Sequence, residues 1–249
     1  MSATPTQAGA GKELMRASGL VRRFGGLVAV NEVSLSVADR EIVGLIGPNG
    51  AGKTSLFNIL SGQLKPDSGS VSFCGKDVTR ASVASCARAG IGRTFQIVKP
   101  LTSLTVHENV MVGALLRHPL AAAREKAAEI VRRVGMGPLL ERPAGSLTLE
   151  SRKRLELARA LSIEPRMLLL DEILAGLNAS EINESIHLIR SFAHEDGLAV
   201  IMIEHNLHAV MSLADKVVVL DYGRKIAEGK PEAVVRDPAV VAAYLGSDD

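Results

Sequence analysis

Apolar residues fall into two kinds of stretch along this chain. Ile42–Ile46, Met167–Leu170, Ala199–Ile203 and Val217–Leu220 are short, continuous runs. They are too brief for helices and lack the alternation of half-exposed strands, so they predict strands covered on both faces. A strand-like pattern begins at Leu14 and alternates over Ser34–Val37. Elsewhere the apolar period is helical: Glu181–Phe192 puts Ile182, Ile186, Ile189 and Phe192 on one face, and Leu207–Ala214 repeats Leu207, Val210, Met211 and Ala214. Lys53–Leu60 reads as a further helix. Strands alternating with helices predict an α/β fold with a mainly parallel core sheet. From Thr105 to Gly135 the chain is predicted to be helical throughout, with good helix formers over Ala121–Val134 and Gly135 as the cap. This insert predicts a helical subdomain over about residues 98–163 of a domain spanning 14–249. Residues 1–13 are small and polar; they are expected to be a disordered tail and lack the apolar core of a signal peptide.

Composition narrows the function more by exclusion than by indication. Lys and Arg total 29 against 27 Asp and Glu, a balance that argues against a nucleic-acid partner. Cys74 and Cys86 form neither a disulfide framework nor a metal-ligand spacing, and read as thiols of a reducing compartment. The longest apolar stretches, such as Leu198–Ile203 and Val110–Leu116, fall far short of a membrane span. The expectation is a soluble intracellular protein whose membrane role, if any, comes through a partner.

The strongest chemical signal is Gly47-Pro48-Asn49-Gly50-Ala51-Gly52-Lys53-Thr54, which fits G-x-x-x-x-G-K-[ST] in every position between an apolar strand and a helix. Its glycines let successive backbone N–H groups point into one concavity, and the helix adds its positive end. Asn49, Gly50, Ala51, Gly52, Lys53, Thr54 and Ser55 are therefore the candidate phosphate cradle, with Lys53 on the β- and γ-phosphates and the Thr54 hydroxyl on Mg²⁺. Gly9-Ala10-Gly11-Lys12 imitates the tail of such a loop, but no strand precedes it and Glu13 stands where a hydroxyl is needed. Met167–Leu170 ends in Asp171 and Glu172. Ligands of parallel sheets sit at the carboxyl ends of strands, so Asp171 is the candidate Mg²⁺ ligand and Glu172 the residue that polarises an attacking water. Ile201–Ile203 ends likewise in Glu204 and His205, and His205 is expected to reach the γ-phosphate and the water at Glu172.

Together these residues resemble the ATP-binding subunit of an ABC transporter over roughly Leu14 to Gly246. The resemblance implies the P-loop NTPase cassette fold, with an antiparallel β region beside the core sheet, and ATP with Mg²⁺ as cofactors. Thr94-Phe95-Gln96, whose Gln96 lies 43 residues after Lys53, looks like the Q-loop, which implies catalytic and Mg²⁺-binding roles for Gln96. Phe24 resembles the aromatic that stacks on adenine, and Ala175–Asn178 occupies the D-loop position. Arg22–Val30, Arg93–Gln96, Leu104–Val110, Glu204–Leu207 and the ending Asp237 to Gly246 look like the LivG-type subunit of branched-chain amino-acid importers. The implied partners are two transmembrane permease subunits, a second ATPase subunit (a paralogue or the same chain) and an extracytoplasmic solute-binding protein. The implied location is the cytoplasmic face of the inner membrane, as a peripheral subunit.

One motif departs from the family pattern. Leu147-Thr148-Leu149-Glu150-Ser151 stands in the signature position ahead of Leu157-Ala158-Arg159-Ala160-Leu161. Thr148 keeps a hydroxyl, whereas Glu150 replaces a glycine that would face the other subunit's nucleotide. Glu150 is either an acid stabilising the start of the following helix or a charge opposing the triphosphate, with Arg152-Lys153-Arg154 softening the repulsion. The second alternative keeps open a regulatory, nucleotide-binding subunit with little intrinsic hydrolysis. A GTPase or nucleoside kinase is disfavoured by the lack of an N-K-x-D motif and by Gln96 and His205 in order; a DNA-repair or translation ABC protein, by the single cassette without long coiled coils.

Overall fold

The computed structural model describes residues 12–95 and 99–245. Two long strands open the chain, β1 (Glu13–Phe24) and β2 (Leu27–Ala38), and β3 (Ile42–Ile46) then leads through the glycine loop into α1 (Lys53–Leu60). β4 (Ser68–Phe73), β5 (Lys76–Asp77), α2 (Val83–Ala89) and β6 (Ile91–Arg93) follow. Next come α3 (Val106–Ala114), α4 (Leu120–Arg133) and α5 (Leu149–Leu161). β7 (Met167–Asp171), α6 (Ala179–His194), β8 (Ala199–Ile203), α7 (Leu207–Leu213) and β9 (Lys216–Asp221) complete the alternation. The chain ends in β10 (Arg224–Gly229), α8 (Pro231–Val234) and α9 (Pro238–Leu245).

The strands form a six-stranded sheet in the order β10-β9-β3-β8-β7-β6 and a four-stranded sheet in the order β2-β1-β4-β5. The larger sheet is parallel apart from the β9–β10 pair, and the smaller one is antiparallel. Successive side chains of a strand point to opposite faces, and here both faces are covered. Met167, Leu169, Ile201 and Ile203 pack toward α1 and the antiparallel sheet. Their neighbours Leu168, Leu170, Val200 and Met202 pack toward α5 and α6. That double coverage explains why these strands read as unbroken apolar runs. Among the described residues, no helix is long and apolar enough to cross a membrane.

Three sequence expectations need correction. The helical run from Thr105 to Gly135 is two helices, because Pro119 has no amide to donate and disfavours helix in the residue before it; it sits extended at ψ 160° and begins α4 afresh. Leu207, assigned to the apolar face of its helix, opens α7 and is 51% exposed. The tail assigned to residues 1–13 falls mostly outside the described residues, but Glu13 already belongs to β1, opposite Ala38. Gly135 does end α4: at φ 77° its amide reaches Arg132 O, while Met136 N reaches Val131 O.

Candidate active site

Three parallel strands deliver the chemistry to one edge. β3 and β7 both pair with β8, so the glycine loop, the Asp171-Glu172 pair and the Glu204-His205 pair leave adjacent strand ends. The loop's glycines are demanded by crowding as well as by any ligand. A Cβ at Gly47 (φ 146°) would lie 2.0 Å from Leu220 O, and one at Gly52 (φ 99°) 2.2 Å from Ala29 O. Lys53 is buried, and its Nζ donates to Gly47 O at 2.7 Å and Pro48 O at 2.9 Å. Burial pushes its pKa down, opposed by the Glu172 and Asp171 carboxylates.

Phe24, the loop residues Asn49 through Ser55, Glu172 and His205 all line one cavity of about 480 Å³. The Phe24 ring is 44% exposed, with the Arg22 guanidinium 4.9 Å from its centroid. His205 Nε2 lies 3.1 Å from Glu172 Oε1. An ionised carboxylate only accepts hydrogen bonds, so this contact puts the proton on Nε2. Glu172 has φ 48°, a left-handed conformation that costs a non-glycine residue roughly 1–3 kcal/mol. Its amide extends the β7–β8 ladder to Ile203 O, and its carbonyl accepts Lys153 Nζ at 2.6 Å.

Asp171 is buried and paired with Arg93 Nη2 at 3.0 Å. Burial pushes its carboxyl pKa up and the Arg93 charge pulls it back down. Thr54 and Asp171 share a second cavity of about 470 Å³ with Arg93 and Phe95. Hydroxyl and carboxylate oxygens are hard donors suited to Mg²⁺, which takes few protein ligands when phosphates supply the rest. Among the described residues, no group of three or more His, Cys, Asp or Glu forms a metal site on protein ligands alone. Gln96, the remaining candidate ligand and catalytic residue, lies outside the described residues.

The signature residues do not line the Lys53 cavity. Thr148 caps α5 by accepting the Ser151 amide, and Glu150 sits in the first turn, where Arg154 Nε donates to its Oε1 at 2.9 Å. That is the helix-stabilising alternative for Glu150. Each member of the adjacent basic run already has an acceptor within the chain. Arg152 donates to Gly145 O, Lys153 to Glu172 O, and Arg154 to Glu150 and Glu184.

Two features escaped the sequence reading as parts of the site. Tyr222 lines the Lys53 cavity from the β9–β10 hairpin, whose Tyr222-Gly223 turn has positive φ at both residues (40° and 77°). Gly223 N donates to Ala51 O, and Gly223 O accepts Asn31 N, so the turn buttresses the phosphate loop from outside. Arg93 joins α1 to the β7 carboxylate, with Nη1 on Asn58 Oδ1 and Ser61 Oγ and Nη2 on Asp171. No local pattern marks it, because β6 meets β7 only through the fold.

Residues 30–175 match the ABC transporter family model, and residues 224–249 match that of the branched-chain amino acid ATP-binding cassette transporter. The chain is 38% identical over 249 residues to the high-affinity branched-chain amino acid transport ATP-binding protein LivG of Salmonella typhimurium, covering 94% of this chain and 98% of the relative. It is also 38% identical to the corresponding BraF protein of Pseudomonas aeruginosa, with the same coverage. Its fold is similar to the crystal structure of the ADP conformation of MJ1267, an ATP-binding cassette of an ABC transporter, with a TM-score of 0.86 and 33% identity over 94% of this chain and 99% of that one. On its sequence, its sheet order and the loop at its strand ends, the chain belongs to the ATP-binding cassette family of ABC transporters.

Proposed function

We propose that this chain is the ATP-hydrolysing subunit of an importer for branched-chain amino acids or related small solutes, held at the cytoplasmic face of the inner membrane by two permease subunits. A second ATPase subunit, either a paralogue or another copy, and an extracytoplasmic solute-binding protein complete the assembly. The solute class rests on the C-terminal match over residues 224–249 and on the names of the relatives. The activity rests on one observation: Lys53, Glu172 and His205, from three separate strand ends, line the same cavity.

In this reading Phe24 stacks on adenine, the amides of Asn49 to Ser55 cradle the phosphates, and Lys53 turns its ammonium onto the β- and γ-oxygens. Thr54, Asp171 and Gln96 would hold Mg²⁺, which neutralises charge on the phosphates when bound. Glu172 takes a proton from the attacking water. His205, donating to Glu172, orients that carboxylate toward the γ-phosphate. Thr148 and the helix start beyond it face the nucleotide of the second subunit, and the Glu150–Arg154 ion pair offsets the acidic charge there.

Steady-state ATP hydrolysis by the purified chain tests this. Glu172→Gln is expected to lower turnover about 100-fold or more while retaining ATP, the magnitude of losing a general base. Unchanged turnover would sink the assignment of Glu172. Lys53→Ala is expected to weaken ATP binding at least about tenfold, by loss of a charge-assisted contact to the phosphates. Equal affinity in the two proteins rules out the phosphate cradle.

A further inference from the structure

Two buried charged side chains with no contact to nucleotide in the proposed mechanism meet the backbone at and just after Glu172. Lys153, on α5, is 7% exposed, and its ammonium donates to the Glu172 carbonyl at 2.6 Å. Glu204, at the end of β8, is 4% exposed, and its Oε1 accepts the Leu174 amide at 2.9 Å. The Glu172 carbonyl and the Leu174 amide bracket the backbone that leads out of the reacting residue. That short stretch is therefore held at both ends. The 172–173 peptide within it must swing if Glu172 is to leave φ 48° for an ordinary conformation.

We propose that Lys153 and Glu204 are positioning residues that fix the backbone from Glu172 to Leu174, hold Glu172 in its left-handed conformation and thereby keep its carboxylate against His205. The proposal rests on the reading of Glu172 as the residue that activates water. Burying a lysine and a glutamate is unfavourable unless each is satisfied by partners, and here their hydrogen-bond partners are the backbone of the reacting residue and of Leu174, two residues on. Burial pushes the Lys153 pKa down, and the Glu204 and Glu172 carboxylates push it back up, so the three groups share one electrostatic environment.

The test compares Lys153→Met, Lys153→Arg and Glu204→Gln with the wild-type full chain in steady-state hydrolysis, with ATP affinity measured separately by equilibrium binding of a fluorescent ATP analogue. Lys153→Met is expected to lower kcat about tenfold or more while leaving KM and affinity within about twofold. Lys153→Arg, which keeps a cationic donor, is expected to recover most of kcat. Glu204→Gln, of the same size, is expected to lower kcat with affinity preserved, and it carries the test if Lys153→Met fails to fold. In a Glu172→Gln background, Lys153→Met is expected to cause no further loss, because residues acting through one group are not additive. Unchanged kcat in Lys153→Met and Glu204→Gln overturns the proposal. So does a loss that multiplies fully onto Glu172→Gln, or one that tracks ATP affinity. Turnover retained by Glu172→Gln itself would bring down the assignment of Glu172 and this proposal with it. An inactive Glu172→Gln beside an unaffected Lys153→Met would remove this proposal alone.

Discussion

Burial raises the Glu204 pKa to about 7, against an ordinary value of 4.5. An acid with a raised pKa favours the fold while protonated, so between pH 4.5 and 7 the native state binds more protons than the unfolded one, and stability falls as pH rises. The difference from the ordinary value corresponds to about 3 kcal/mol. Glu204→Gln is therefore expected to flatten the decline of stability across this window relative to wild type, measured as urea midpoints at several pH values. Parallel pH profiles in the two proteins would refute it. Residues of this kind mark the boundary of what a sequence displays. Asp171 and Glu172 are legible because an apolar strand runs directly into them. Arg93, Lys153 and Glu204 stand in segments the sequence singles out, but their contacts are not legible there, because their partners lie 78, 19 and 30 positions away and become neighbours only through sheet pairing and helix docking.

Elements were legible where burial is uniform. β3, β8 and α1 end where the apolar runs and the glycine motif say they do, since each has a single dominant constraint. The break at Pro119 was lost because good helix formers continue beyond it and mask the proline. The β9–β10 hairpin was lost as a part of the site because its role is contact with the phosphate loop, which no local pattern encodes. That contact is testable. A Cβ at Gly223, where φ is 77°, would lie 2.9 Å from Val28 O and 3.0 Å from Ala29 O. Gly223→Ala is expected to destabilise the chain by about 1–3 kcal/mol, lowering Tm by several degrees, and to weaken ATP binding through the Ala51 support. A calorimetric scan showing wild-type Tm would contradict it. At the start of α5, Thr148→Ala is expected to cost about 1 kcal/mol through the lost cap on Ser151, read from the same scans.

For the molecule as a whole, α/β character was visible in the alternation of runs and helices, whereas strand order was not, because pairing in this sheet is far from sequential. If each nucleotide is sandwiched between one subunit's phosphate loop and the other's α5, specific ATPase activity is expected to rise with protein concentration for a self-assembling chain. Turnover per chain that stays constant over a hundredfold dilution would exclude reversible self-association. The strand order has another consequence, for biosynthesis. β3 lies between β8 and β9, with Ile42 opposite Val200 and Val43 opposite Lys216. The phosphate loop is thus launched from a strand whose neighbours leave the ribosome long after it. A nascent chain halted before β8 carries the whole glycine motif but has neither neighbour to hold it. Pairing across so long a separation is slow to nucleate. ATP capture by the growing polypeptide is therefore expected only once β8 and β9 have emerged, so that a half-built motor does not already hold fuel.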